Sequence, residues 1–179
     1  MELYFVRHGE TEFNKHHQLM GQRIDAPLDE DGLKQAHEVI GKLPKDFMMI
    51  YSSPLKRAAQ TAKIIADFSN KHLVVSQDLR ERDFGSLSGK TWQEIDQEAG
   101  ESLSEKDKNL EYDYTRFGGE SAAQVKARLA NFLNDIKGKH ANHSIVVVTH
   151  FGIISIMEAL YPKHEHHRLT NSSVHKFVI

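Results

Sequence analysis

Short runs of continuous apolar residues alternate along this chain with segments whose apolar positions recur every three or four residues, the pattern of strands and helices in turn. Leu3-Tyr4-Phe5-Val6 is the first such run. It ends at Arg7-His8-Gly9, and its continuous apolarity predicts a strand buried on both faces. After a loop through Asp25-Ala26-Pro27-Leu28, Asp29 is placed to cap a helix whose Leu33, Ala36, His37 and Ile40 share one face as far as Gly41. Phe47 to Tyr51 predicts a second strand, followed by Ser53 as a cap and Pro54 at the first helical position. Ala58, Ala59, Ala62, Ile65 and Ala66 then form a small-residue face suited to close packing on a sheet.

Leu73 to Val75 reads as a shorter strand that runs into Leu79-Arg80-Glu81-Arg82-Asp83-Phe84-Gly85. The polar stretch from Glu98 to Phe117 predicts a lid-like insertion at about 86–118, its Trp92, Tyr112, Tyr114 and Phe117 anchoring it to the body or touching a ligand. Ser121 caps a helix carrying Val125, Leu129, Phe132, Leu133 and Ile136, with Gly138 near its end. Ile145 to Val148 is a strongly β-branched strand ending at Thr149-His150-Phe151-Gly152, and Val174 to Ile179 alternates like a strand on a sheet edge. This alternation predicts a single α/β domain over 1–179, a sandwich with a mostly parallel sheet.

Composition narrows the chemistry. The chain has 179 residues, a formal charge of −2, no cysteine and 12 histidines. Thiolate nucleophiles, disulfides and cysteine-held metal clusters are excluded, while groups that titrate near neutrality are abundant. There is no basic surplus to hold nucleic acid or an anionic membrane, and no apolar run approaches the roughly 20 residues a membrane helix needs. Met1-Glu2-Leu3-Tyr4 has no basic segment ahead of an apolar stretch, so a cytoplasmic protein is expected.

In an open parallel sheet, ligands bind beyond the carboxyl ends of the strands. That rule collects Arg7 and His8 after the first strand, Ser53 and Arg57 after the second, Glu81 after the third and His150 after the fourth. Paired guanidiniums and helix N-termini suit a doubly charged oxyanion, with phosphate favoured. Without cysteine, an imidazole is the remaining good nucleophile, and attack on phosphorus would form a phosphoramidate. Glu81 is placed to protonate the departing alkoxide and later to activate water. Neighbouring cations would keep His8 neutral, and a phosphate dianion would favour protonated Glu81.

These residues have a familiar order. Phe5-Val6-Arg7-His8-Gly9-Glu10-Thr11 with Asn14, Ser52-Ser53-Pro54-Leu55 with Arg57-Ala58 and Gln60-Thr61-Ala62, Leu79 with Glu81, Gly119-Glu120-Ser121 and Val147-Val148-Thr149-His150 together resemble the histidine phosphatase superfamily, the phosphoglycerate mutase-like proteins. The resemblance implies a three-layer α/β/α sandwich with a mixed sheet, and no metal or organic cofactor. It implies that His8 is phosphorylated, that Arg7, Arg57 and His150 hold the phosphoryl oxygens, and that Glu81 is the proton donor. Asn14 matches a position that hydrogen-bonds phosphate, and Gln22 falls in a loop that closes over it.

Departures tilt the expected activity. Many relatives have Ser-His-Gly followed soon by Arg where this chain has Thr149-His150-Phe151-Gly152 and Ser155, a more apolar and less charged rim. Glu81-Arg82-Asp83-Phe84-Gly85 differs from the mutase-type sequence by Asp83 for His and Phe84 for Tyr. A metal-independent phosphomonoesterase acting on a small phosphate ester is expected, with phosphoglycerate mutase-type transfer and a non-catalytic phosphate-ester sensor as alternatives. His164-Glu165-His166-His167 lacks the i, i+4 spacing of the zinc-protease helix, so no metal site is expected there. His16 and His17 read as a solvated pair in the loop after Asn14, with a place at the substrate border as the alternative, and His37, His72, His140, His143 and His175 carry no readable partner pattern.

Overall fold

A computed structural model describes residues 1–162 and 169–179; the cluster His164-Glu165-His166-His167 lies outside the described residues. Five strands form one sheet in the order β3-β2-β4-β1-β5: β1 (Glu2–Arg7), β2 (Met49–Ser52), β3 (Leu73–Val75), β4 (Ser144–Thr149) and β5 (Val174–Val178). The first four are mutually parallel, and β5 runs antiparallel against β1 on the edge. Parallel pairing aligns Arg7 with Thr149 and Ser52 with Val148, so β1, β2 and β4 finish at one level.

Period-two alternation sends side chains to opposite faces. Leu3, Phe5, Ile145 and Val147 point towards α6 (Ala122–His140) and α7 (Phe151–Leu160), in a core with Leu129, Phe132 and Ile153. Val6, Ile50, Val146 and Val148 point the other way, towards Ala58, Ala62, Ile65 and Ala66 of α3 (Lys56–Ser69) and Val39 beyond α2 (Glu30–Glu38). Helices therefore cover both faces, giving the three-layer α/β/α sandwich with a mostly parallel mixed sheet. The short α1 (Glu12–Lys15) follows β1, with Thr11 and Asn14 forming a reciprocal capping box.

Two helices depart from the sequence expectation. Asp29 does cap α2, accepting from Gly32 N at 2.7 Å, but the buried face runs through Gly32, Ala36 and Val39, leaving Leu33 41% exposed. Contact decides this: a Cβ on Gly32 would collide with the backbone of Glu10, so the glycine face is the one that can press against the loop after β1. Ser53 and Pro54 do not open α3. Leu55 is its N-cap, and Ser53 Oγ is engaged with Leu55 N at 3.3 Å and with His150.

The segment at 86–118 is built rather than loose. It contains α4 (Trp92–Ala99), α5 (Leu103–Lys108) and a 3-10 turn at Thr115–Phe117. Thr91 and Glu94 cap α4 reciprocally, and Ile95, Leu103, Tyr112 and Tyr114 are buried in the same core as α6. Tyr112 and Tyr114 stack at 5.0 Å, which pins the chain just beyond α5 to the body.

Candidate active site

Arg7 and His8 sit at the carboxyl end of β1, where the strand ends against β4. His8 N donates to Thr149 O at 3.0 Å, and Ser172 N donates to His8 O at 3.2 Å. The ring is fixed as firmly as its backbone. Its Nδ1 lies 2.7 Å from Gly9 O, a carbonyl that can only accept, so Nδ1 carries the proton and Nε2 a lone pair. Arg57 Nε donates to that Nε2 at 3.2 Å. Burial first, and then the charges of Arg57 and Arg7, hold the His8 pKa well below the ordinary histidine value. A neutral imidazole results, with its Nε2 electron pair turned to the Arg57 guanidinium.

His150 follows β4 as the N-cap residue of α7, its ring centroid 5.2 Å from that of His8. Ser53 Oγ lies 2.8 Å from His150 Nε2 while accepting from Leu55 N. His150 Nδ1 is a buried atom with no hydrogen-bond partner, and when the Ser53 hydroxyl donates to Nε2 the neutral ring carries its own proton on Nδ1. Burial, followed by the charge of Arg57, pushes the His150 pKa well below the ordinary value too. A second buried nitrogen, Arg7 Nε, is likewise without a partner, although Arg7 Nη1 donates to Leu169 O at 2.7 Å and the guanidinium lies 5.5 Å from the Phe151 ring centre.

Arg57, on the first turn of α3, is only 1% exposed. Its Nη2 donates to Gly21 O at 2.9 Å and its Nη1 to Ile24 O at 3.3 Å, which orients the guanidinium across His8. Burial draws its pKa down to about 10, still cationic at neutral pH. Asn14 completes this floor. Its Oδ1 faces Thr11 N at 3.1 Å and Asn171 Nδ2 at 3.2 Å, leaving its own amide N–H groups for a ligand.

Glu81 stands opposite on the stretch after β3. Its Oε1 accepts from Arg82 N at 2.9 Å and Arg82 Nη1 at 3.1 Å, and its Oε2 accepts from Gly152 N at 3.2 Å. Gly152 is required here, since a Cβ would collide with Arg82 Nη1 and Glu81 Oε1. Burial raises the Glu81 pKa, but the Arg82 charge, these backbone donors and Arg57 outweigh it, so the net shift is downward. Glu81 is thus held as a carboxylate by its protein neighbours. Arg82 is gripped from its far side by Asp107 of α5, with Nε and Nη2 each 2.7 Å from a carboxylate oxygen, and Tyr114 Oη donates to Asp107 Oδ1 at 2.7 Å.

Arg7, His8, Asn14, Arg57 and Glu81 line one cavity of about 440 Å³. Gln22 stands apart. Its side chain donates to Glu120 Oε2 at 2.8 Å, and Glu120 is itself bound to Arg128 and to Asp83 N, so the amide is turned into that network instead of lining the cavity. Ser53 belongs to the strand-end set the sequence collects, though its hydroxyl meets His150 rather than opening α3. Sequence reasoning missed two supporting residues: Asp107 lies in a run of alternating charges that looks solvated, and Asn171 has no local signal at all. Two further histidines have structural partners: His140 Nε2 lies 3.0 Å from Tyr51 Oη, and His175 pairs with Glu158 at 3.0 Å. Among the described residues there is no cluster of three or more metal-ligating side chains, and no helix is long and apolar enough to cross a membrane.

Similarity to known proteins agrees with this geometry. Residues 3–177 match the family model of the histidine phosphatase superfamily, branch 1. The chain is 36% identical to phosphoglycerate mutase-like protein 4 of Arabidopsis thaliana, a match spanning 98% of this chain and 78% of that protein. It is 38% identical to the metal-independent phosphoserine phosphatase of the same plant, over 86% of this chain and 65% of that one. Among solved structures, the phosphoserine phosphatase of Entamoeba histolytica in complex with 3-phosphoglyceric acid superposes with a TM-score of 0.80 at 30% identity, over 99% of this chain and 90% of its own. The chain belongs to the histidine phosphatase superfamily, branch 1, and is a phosphoric monoester hydrolase of that type.

Proposed function

We propose that this protein hydrolyses a small phosphate monoester, without a metal, through a phosphohistidine on His8. The observation that carries this reading is a neutral His8 whose unprotonated Nε2 faces the Arg57 guanidinium, beside two buried nitrogens without a partner, His150 Nδ1 and Arg7 Nε. Buried donors ordinarily have partners. Three phosphoryl oxygens, held by Arg7, Arg57, His150 and Asn14, would satisfy them and neutralise a floor that otherwise concentrates positive charge.

His8 Nε2 attacks phosphorus as the ester P–O bond breaks, and the departing alkoxide takes the proton of Glu81. Glu81, now a carboxylate, removes a proton from water; the hydroxide attacks phosphorus, the P–N bond breaks, and free phosphate leaves with His8 neutral and Glu81 protonated. Because Arg82 holds resting Glu81 ionised, the first proton enters with the substrate, as the monoanion of the ester or by uptake when the dianion binds beside the carboxylate. Keeping Glu81 next to Arg82 ensures that it is ionised for the second half and limits the fraction ready to act as acid in the first.

A panel of phosphate esters assayed with a chelator present tests this reading. Wild type should release phosphate undiminished by chelator, His8→Ala should lose about 10⁴-fold or more, and Glu81→Gln about 10²–10⁴-fold. Chelator-sensitive activity, or activity retained by His8→Ala, contradicts it. Conversion of 3-phosphoglycerate to 2-phosphoglycerate faster than phosphate release would favour the mutase alternative instead.

A further inference from the structure

Above the phosphate floor the cavity changes character. Its walls are Leu19, Phe84, Trp92, Leu110, Tyr112 and Phe151, supplied by the loop after β1, by the stretch after β3, by the segment at 86–118 and by the first turn of α7. Aromatic rings dominate. Phe84 and Trp92 meet edge to face at 5.9 Å, and Phe84 tilts against Tyr114 at 5.0 Å, so the wall is braced by ring contacts rather than by adaptable polar side chains.

The buried charges on this wall are already committed. Arg82 has the one guanidinium above the Arg7 and Arg57 floor, and its three nitrogens are bound to Glu81 and Asp107. Lys108 is exposed and pairs with Glu105 at 2.5 Å. Ser155, in the region where the family resemblance leads one to expect an arginine, donates back to Phe151 O at 2.9 Å within its own helix. Of the charged side chains lining the wall, Asp107 brings a carboxylate into the same space. A second phosphate or a carboxylate on the leaving group would therefore be desolvated against rings and the Asp107 carboxylate, with the Arg82 guanidinium already engaged.

Resting on the proposed phosphatase reading, we propose that the alcohol half of the substrate is an uncharged, apolar group of ring size, and that the site selects against esters bearing a second anion. An aryl-alkyl or cycloalkyl phosphate has the matching chemistry: a dianionic head for the floor and an apolar body for the rings. A cavity of about 440 Å³ has room for a phosphoryl group and a ring. This reading separates the chain from its relatives named for phosphoserine, whose substrate carries a carboxylate and an ammonium beside the phosphate.

The test compares benzyl phosphate with phosphoserine and 3-phosphoglycerate. All three release unactivated alcohols, so leaving-group acidity does not favour the benzyl ester. Steady-state kcat/KM should be higher for benzyl phosphate by about tenfold or more. In Trp92→Ala the preference for benzyl over methyl phosphate should shrink, chiefly through KM. In Ser155→Arg, a cation placed on the rim should raise kcat/KM for 3-phosphoglycerate relative to benzyl phosphate. Equal or faster turnover of phosphoserine or 3-phosphoglycerate by wild type overturns the inference while leaving the phosphatase reading intact. Absence of phosphate release from every ester, with His8 unmodified, overturns both.

Discussion

The floor and the wall of the cavity hold their charges in opposite ways. On the floor, Arg7, His8, Arg57 and His150 crowd like charges and neutral donors at the ends of β1, β2 and β4, and two of their buried nitrogens have no partner. On the wall, Arg82 is compensated on both sides by Glu81 and Asp107, and every guanidinium nitrogen is bound. An unsatisfied cluster is stabilised by an incoming anion; a satisfied one repels it or ignores it. In the proposed reaction, binding free energy is thus concentrated on the floor, while the wall contributes shape and holds Glu81 as a carboxylate.

Breaking the floor should have the largest effect. Arg57→Ala removes both a phosphoryl donor and a charge that keeps His8 neutral, and it should lower kcat/KM by about 10²–10³-fold with the fold retained by circular dichroism. Breaking the wall should be felt first in stability. Asp107→Asn leaves Arg82 without its bidentate partner and should cost roughly 3–5 kcal/mol in denaturant unfolding. With Asp107 no longer competing for Arg82, the Glu81 carboxylate is held more strongly, so the loss of kcat/KM with rising pH should begin at lower pH than in wild type. A profile that does not move would separate Asp107 from the control of Glu81.

The pH dependence of stability sharpens the same contrast. His8 and His150 have folded pKa values below the unfolded value of about 6.5, so below that pH the unfolded chain takes up protons the native site refuses. Their contribution to stability is complete above about pH 6.5 and declines as pH falls. Glu81, also depressed, adds stability above its unfolded value near 4.5 and loses it only as pH falls through its lower folded value. Thermal midpoints should therefore begin to drop below about pH 6.5, before carboxylates titrate, and inorganic phosphate should raise them. The smallest effect is expected from Ser53→Ala, which releases the His150 tautomer and should reduce kcat by about tenfold without moving KM for the apolar half.

What the sequence made legible follows the same division. Strand ends can be located from apolar runs, and a parallel sheet brings them to one rim, so Arg7, His8, Arg57, Glu81 and His150 could be collected before any coordinates. Their supports could not. Asp107 reaches Arg82 only because Tyr112 and Tyr114 fold the chain after α5 into the core, a tertiary event with no local periodicity. Asn171 arrives beside Asn14 and His8 from the far end of the chain. The α2 face shifted because backbone contact with Glu10 favours Gly32 over the larger Leu33, an effect hydrophobic spacing cannot register.

The central claim is that His8 Nε2 carries the phosphoryl group during turnover. Rapid mixing with excess ester, followed by an alkaline quench and peptide mass spectrometry, measures it directly. The account predicts one added phosphoryl group on the peptide containing His8, stable in alkali, lost in acid and absent from His8→Ala. A phosphoryl group on a serine or a carboxylate, or turnover with His8 unmodified throughout, would contradict it.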